Sequence, residues 1–248
     1  MSGHSKWSTI KHAKGIADAK RGQMFTKFIK EISIAARMGG GDPASNPRLR
    51  TAILKARASS MPKDNIERAI KKGTGEDGGK DYEELVYEGY GPGGVAVLVE
   101  VLTDNKNRAA ADVRNLFDKN GGKLGVSGSV SRMFSRKGTI AYDAEKASED
   151  VVMETGLDAG AEDIVNEDGV ITVTTDPADF DKVLEALQEK GLESLSAEVA
   201  MVPESTTQVD AATAEKVQKL IDKLEENDDV QNVYTNVEYP EDFAPAGA

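Results

Sequence analysis

Val95-Ala96-Val97-Leu98-Val99-Glu100-Val101-Leu102 decides how the chain folds. Every odd position in it is valine and only Glu100 is polar. A run this short, this apolar and this rich in β-branched residues reads as a buried strand, far too short to span a membrane. Asn107 to Lys119 follows as a helix, because Ala110, Val113, Leu116 and Phe117 recur at three- and four-residue spacing. Ser129 to Phe134 alternates like a second strand, which completes one β-α-β half.

A matching half comes much later. Strand-like residues run up to Val209, a helix from Ala211 to Glu226 uses Ala214, Val217, Leu220, Ile221 and Leu224, and a strand runs from Val230 to Tyr239. Between the halves lies a second alternating pattern: Thr139 to Tyr142, Glu149 to Ala159, Val170 to Thr174, Phe180 to Glu189, and a strand around Ala197 to Val202. The economical topology joins the outer halves into one split unit of ferredoxin-like type, with the middle stretch inserted as another α/β domain. Leu195 to Val209 reads as one long strand shared by both sheets, with Pro203 marking the handover.

Residues 1–80 read as helical. Phe25, Phe28, Ile29, Ile32, Ala35 and Ala36 make one apolar stripe from Gln23 to Met38, with Lys27, Lys30 and Arg37 outside it. Gly39-Gly40-Gly41-Asp42-Pro43 stops that helix. A second follows Pro47 with Leu49, Ala52, Ile53 and Ala56 inward. A third begins near Pro62 to Asp64, where Asp64 and Glu67 have capping-box spacing, and ends at Gly73. The expected class is α+β: a basic three-helix bundle over 1–80, a split α/β domain of 81–134 and 204–248, and an inserted acidic α/β domain over 135–203.

Charge is segregated along the chain. Residues 1–80 carry 17 Lys and Arg against 7 Asp and Glu, whereas residues 81–248 carry 14 against 36. Most of the acidic excess lies after Lys137, since 81–137 balances at 8 against 8. A basic end can neutralise phosphates and steer association, while the acidic remainder repels polyanions that approach the wrong way round. The alternative account is that these cations decorate solvated helix faces.

The chemistry-bearing motifs are sparse. Gly89-Tyr90-Gly91-Pro92-Gly93-Gly94 has dinucleotide-loop spacing but precedes a strand instead of following one, so it reads as a tight turn. With no cysteine there are no disulfides and no thiolate sites, which suits a reducing cytoplasm. The two histidines, His4 and His12, have no suitably placed carboxylate between them, and Glu162, Asp163, Glu167 and Asp168 read as a solvated acidic loop. No cofactor or metal is expected. A metal-dependent hydrolase using this diffuse acidity is the remote rival to a binding protein.

The informative segment is the N-terminus. Lys6, Lys11, Lys14, Lys20 and Arg21 surround Trp7 and His12, so the indole can stack on an unpaired base, or it can plug the end of the bundle. Arg48, Arg50, Lys63 and Arg68 extend the cationic set along the later helices. None of the three helices makes a clean helix-turn-helix reader, so strong DNA sequence specificity is not expected.

Gly3-His4-Ser5-Lys6-Trp7, Asp18-Ala19-Lys20-Arg21-Gly22, Asn46-Pro47-Arg48-Leu49-Arg50, Met61-Pro62-Lys63-Asp64-Asn65, Tyr87-Glu88-Gly89-Tyr90-Gly91-Pro92, Thr103-Asp104-Asn105-Lys106-Asn107-Arg108 and Asp229-Val230-Gln231-Asn232-Val233-Tyr234 resemble, in order, the hallmark segments of the YebC family. The resemblance implies three domains, one inserted in another, and no enzymatic activity. It implies a nucleic-acid-binding regulator of gene expression: a DNA-binding transcriptional regulator, or a translation factor acting at the ribosome, as for the mitochondrial translational activators among its relatives. Of these the ribosomal RNA reading is favoured, with no membrane and no small-molecule substrate. Arg132 stands where the family more usually has an aromatic residue.

Overall fold

The computed structural model describes residues 21–76, 81–167, 169–240 and 243. Three helices come first: α1 (Arg21–Gly39), α2 (Pro47–Ala58) and α3 (Lys63–Thr74). They close around Ile32, Ala35, Leu49, Ile53, Ala56 and Ile66, the residues whose spacing marked the apolar faces. Asn46 ties the first two together. Its Oδ1 accepts from the Leu49 N–H (3.1 Å) while its Nδ2 donates to the carbonyls of Ala35 and Gly40 (2.8 Å each).

The third helix departs from expectation at both ends. Pro62 is its N-cap and makes no side-chain cap bond, so Asp64 and Glu67 lie inside the helix and form no capping box. Gly73 does not end it. The turn closes on Gly75, in the left-handed conformation, and Gly73 is where α3 meets α1: an added Cβ would sit 2.2 Å from the Ser33 carbonyl oxygen.

The decisive valine run is β2 (Ala96–Thr103), central in a four-stranded antiparallel sheet with β1 (Glu83–Tyr90), β3 (Lys123–Leu124) and β9 (Val230–Thr235), in the order β3-β1-β2-β9. Val97, Val99 and Val101 face α4 (Lys106–Lys119) and α7 (Ala211–Glu225), packing on Val113, Phe117, Val217, Leu220 and Leu224. Ala96 and Leu98 point the other way, against Val130 and Phe134. Burial on both faces explains why the sequence there is apolar without alternation. The glycine-rich stretch at Gly91–Gly94 is the β1-β2 connection, as its position before the strand required.

Two strand assignments change around the first sheet. Glu83–Tyr90 is a full strand, not anticipated from its three glutamates. Ser129–Phe134 is not a strand: it passes through a short 3-10 turn (Ser131–Met133), and pairing resumes only in β4 (Phe134–Asp143).

The second sheet holds β4, β5 (Ala161–Glu167), β6 (Val170–Thr175) and β7 (Ser196–Pro203), in the order β5-β6-β4-β7. Helices α5 (Glu149–Ala159) and α6 (Phe180–Glu189) cover it over Ile140, Tyr142, Val152, Ile171, Val183 and Leu187. The expected acidic loop is in large part strand β5, where Lys137 pairs with Glu162 at 2.7 Å. Pro203 ends β7, and a separate β8 (Thr207–Gln208) pairs in parallel with β10 (Val237–Glu238), so no single strand is shared between the sheets. The chain is therefore an α+β protein with an N-terminal helical region and two β-sheet domains.

Candidate nucleic-acid interface

Arg50, Leu54 and Arg57 recur at four- and three-residue spacing on the solvent side of α2, and Leu54 is 59% exposed. Among the described residues Arg50 reaches only the Pro43 and Ala44 carbonyls, at 3.3 and 3.4 Å, and Arg57 has no ion-pair partner. On α3, Lys63 is 79% exposed and 3.4 Å from Glu67, while Arg68 donates to Asn65 Oδ1 (2.5 Å) and the Asp64 carbonyl (3.3 Å). Lys71, also exposed, has no ion-pair partner among the described residues. Exposed pairs of this kind hold their cations weakly, so a phosphate can compete for them.

Arg48 is placed differently. Its guanidinium donates to Glu31 of α1 (2.7 and 3.1 Å) and to Glu84 of β1. Burial disfavours the charge, but the two carboxylates more than compensate and raise its pKa. This residue bolts the helical region to the first sheet.

A second bolt involves cations that sequence periodicity placed only as lying off the apolar stripe. Lys27 Nζ donates to the Glu225 carbonyl at 2.8 Å, Gln23 Nε2 to that of Glu226 at 3.2 Å, and Lys30 Nζ to that of Asp228 at 2.7 Å. These are carbonyls at and just past the C-terminus of α7, where the helix leaves acceptors unpaired and its dipole favours cations. Lys30 also meets Asp229, which in turn accepts from Arg108 (2.8 Å) and Thr103 (3.0 Å). Burial alone would raise the Asp229 pKa; the hydrogen bonds from Lys30 and Arg108 outweigh it and hold the carboxyl below its ordinary value. Asp229, Thr103 and Arg108 each belong to a hallmark segment, which was the available signal. Periodicity cannot join residues so far apart.

The described residues thus separate the basic set into architecture (Lys27, Lys30, Arg48) and exposed cations (Arg50, Arg57, Lys63, Arg68, Lys71). Lys6, Trp7, Lys11, His12, Lys14 and Lys20 lie outside the described residues, as does the side chain of Arg21. Among the described residues no group of three or more His, Cys, Asp or Glu could hold a metal ion, and no helix is long and apolar enough to cross a membrane.

Residues 5–76 match the TACO1/YebC protein N-terminal domain and residues 82–237 the TACO1/YebC second and third domain. A protein of Treponema denticola is 74% identical over 98% of both chains, and one of Treponema pallidum is 71% identical over 98% of this chain and 99% of its own. Both are described as a "Probable transcriptional regulatory protein". The crystal structure of the conserved hypothetical protein Aq1575 from Aquifex aeolicus superposes with a TM-score of 0.83 at 49% identity, covering 91% of this chain and 93% of that one.

Proposed function

The chain belongs to the TACO1/YebC family, with relatives described as probable transcriptional regulatory proteins, and from that premise we propose that it regulates gene expression without catalysing a reaction, binding nucleic acid through its basic helical region as a translation factor acting on ribosomal RNA. The observation that carries this reading is the segregation of charge: an excess of ten positive charges over residues 1–80, against an excess of 22 negative charges over the rest. Arg50, Arg57, Lys63, Arg68 and Lys71 stand exposed for sugar-phosphate contact, joined by Lys6, Lys11, Lys14, Lys20 and Arg21, with Trp7 and His12 against unpaired bases. We read residues 81–134 with 204–248, and residues 135–203, as two ferredoxin-like domains that present this region to a larger assembly. The work is placed in the cytoplasm, which suits a chain without cysteine.

The test is crosslinking in cells followed by sequencing of the attached nucleic acid. Recovery concentrated in ribosomal RNA supports the reading, and recovery of genomic DNA at discrete positions overturns it. The description carried by the Treponema relatives favours that second reading, a DNA-binding transcriptional regulator. It requires a sharp footprint at one operator in physiological salt, whereas phosphate contacts alone give salt-sensitive binding that varies little with sequence.

A further inference from the structure

The balance of charge over residues 81–137 conceals a second basic region. Residues 105–137 contain 8 Lys and Arg against 2 Asp and Glu. Arg108 and Lys137 are engaged by carboxylates, but Lys106, Arg114, Lys119, Lys123 and Arg132 are exposed with no ion-pair partner among the described residues. In a chain with 43 acids and 31 Lys and Arg, cations left without counter-charges are not an accident of composition.

Three of these cations flank one rigid loop. Glu88, 6% exposed, accepts from the backbone N–H groups of Gly128, Val130 and Ser131 at 2.8 Å each, and its own carbonyl accepts from Gly125 at 2.7 Å. Tyr90 donates its hydroxyl to the Ser129 carbonyl at 3.0 Å. A carboxylate buried under three amides fixes the loop's shape, and Gly128 supplies the left-handed turn (φ +85°) that a side chain would strain. The loop carries Val126 at its tip, 78% exposed, and is bordered by Tyr90, 38% exposed, whose strand partner Lys123 shares its face. Lys119 and Arg132 lie just before and just after.

We propose that this loop, residues 124–131 with Tyr90, Lys119, Lys123 and Arg132, is a second contact for single-stranded RNA, the cations holding phosphates and Tyr90 offering a ring to a base. The proposal rests on the nucleic-acid reading above. The amides of Gly128, Val130 and Ser131 are committed to Glu88, so the proposed phosphate contacts are assigned to side chains. The loop and the helical region are joined along one strand. Glu84, Val86, Glu88 and Tyr90 lie in a row on one face of β1, and Glu84 holds Arg48 of the helical region. From Glu84 to Tyr90 this row is roughly 20 Å long at about 3.3 Å per residue, a span that one strand can bridge.

The test uses the full chain and a fluorescein-labelled 15-nucleotide oligouridylate, with anisotropy read from 50 to 200 mM KCl. Combined Lys119→Gln, Lys123→Gln and Arg132→Gln should lower the slope of log affinity against log salt by about 2, or about 0.7 per lost phosphate contact. Tyr90→Leu should weaken binding about tenfold and Tyr90→Phe should restore it, because the ring and not the hydroxyl stacks. Photocrosslinking of the unaltered chain to a 4-thiouridine oligonucleotide should label peptides within 90–132, which guards against a variant that fails to fold. A slope unchanged in the triple variant, while Arg50→Gln with Arg57→Gln lowers it, overturns this inference alone. Polyglutamate competing as well as RNA at equal charge also overturns it, by marking the surface as a site for acidic peptides. Failure of the unaltered chain to bind at 50 mM KCl overturns the underlying reading as well.

Discussion

Lys30 Nζ lies 2.6 Å from Asp229 Oδ1, with both side chains more than nine-tenths buried, and this contact docks the helical region on the first sheet. The two residues are 199 positions apart. A buried ion pair is weak evidence for stability by itself, since desolvation offsets the attraction, but removing one partner leaves the other charge stranded. The orientation of the cationic helices relative to the rest of the molecule depends on that contact together with Arg48.

The two partners should not be equivalent on mutation. Asp229→Ala strands Lys30 and frees Arg108 and Thr103, and should cost about 3–5 kcal/mol, the range for breaking a buried pair. Lys30→Met leaves Asp229 still held by Arg108 and Thr103 and should cost about 1–3 kcal/mol. Urea denaturation of both variants measures the difference; equal losses would mean that the Arg108 and Thr103 contacts contribute nothing.

Acid should loosen the protein through the same carboxylate and through Glu88. Burial raises both pKa values, but hydrogen bonds from Lys30 and Arg108 to Asp229, and from backbone amides to Glu88, prevail and leave both below their ordinary values. A carboxylate depressed in the folded state contributes stability that is fully present above its unfolded pKa of about 4 and is lost as pH falls through the folded value. The urea midpoint should therefore hold above about pH 5 and decline below about pH 4. The Glu88→Gln variant, less stable at neutral pH, should show a shallower decline.

The close approach at Gly73 predicts a contrast within the helical region. Gly73→Ala places a methyl group 2.2 Å from the Ser33 carbonyl, so α1 and α3 must separate, at a cost of about 1–3 kcal/mol or more. Gly22→Ala meets nothing within 4 Å and should stabilise by up to about 1 kcal/mol through helix propensity. Thermal unfolding of the two variants should move in opposite directions.

Core truncation should be expensive in the same unit. Leu49 is fully buried where α1, α2 and α3 meet, and Leu49→Ala should cost about 2–5 kcal/mol. Leu54→Ala, one helix face away and exposed, should change the urea midpoint little, because exposed substitutions usually stay within about 0.5 kcal/mol. A large loss at Leu54 would indicate that this face is covered in solution.

The helices were legible in the sequence because each buries one stripe: Glu149–Ala159 and Phe180–Glu189 fall on the expected residues. The strands were legible where burial made them apolar. β1 and β5 escaped because their outward rows are charged, and because Glu88 is a buried carboxylate serving a loop that no local pattern reveals. Ser129–Phe134 alternates like a strand, yet the amides of Val130 and Ser131 go to Glu88 and not to a neighbouring strand. At the candidate site, charge type was readable but use was not. Arg48 and Arg50 sit two residues apart in one helix; one is clamped between Glu31 and Glu84 and the other faces solvent, a distinction that only tertiary contacts make.

Phosphate contact by the basic helical region, as proposed above, should show in the salt dependence of binding. Its most direct test is the affinity of the full chain for single-stranded RNA, measured across salt concentrations before and after Arg50, Arg57, Lys63 and Arg68 are changed to Gln together. The slope should fall by up to about 3, at about 0.7 per phosphate contact, with the fold intact by circular dichroism. An unchanged slope with an intact fold would contradict it.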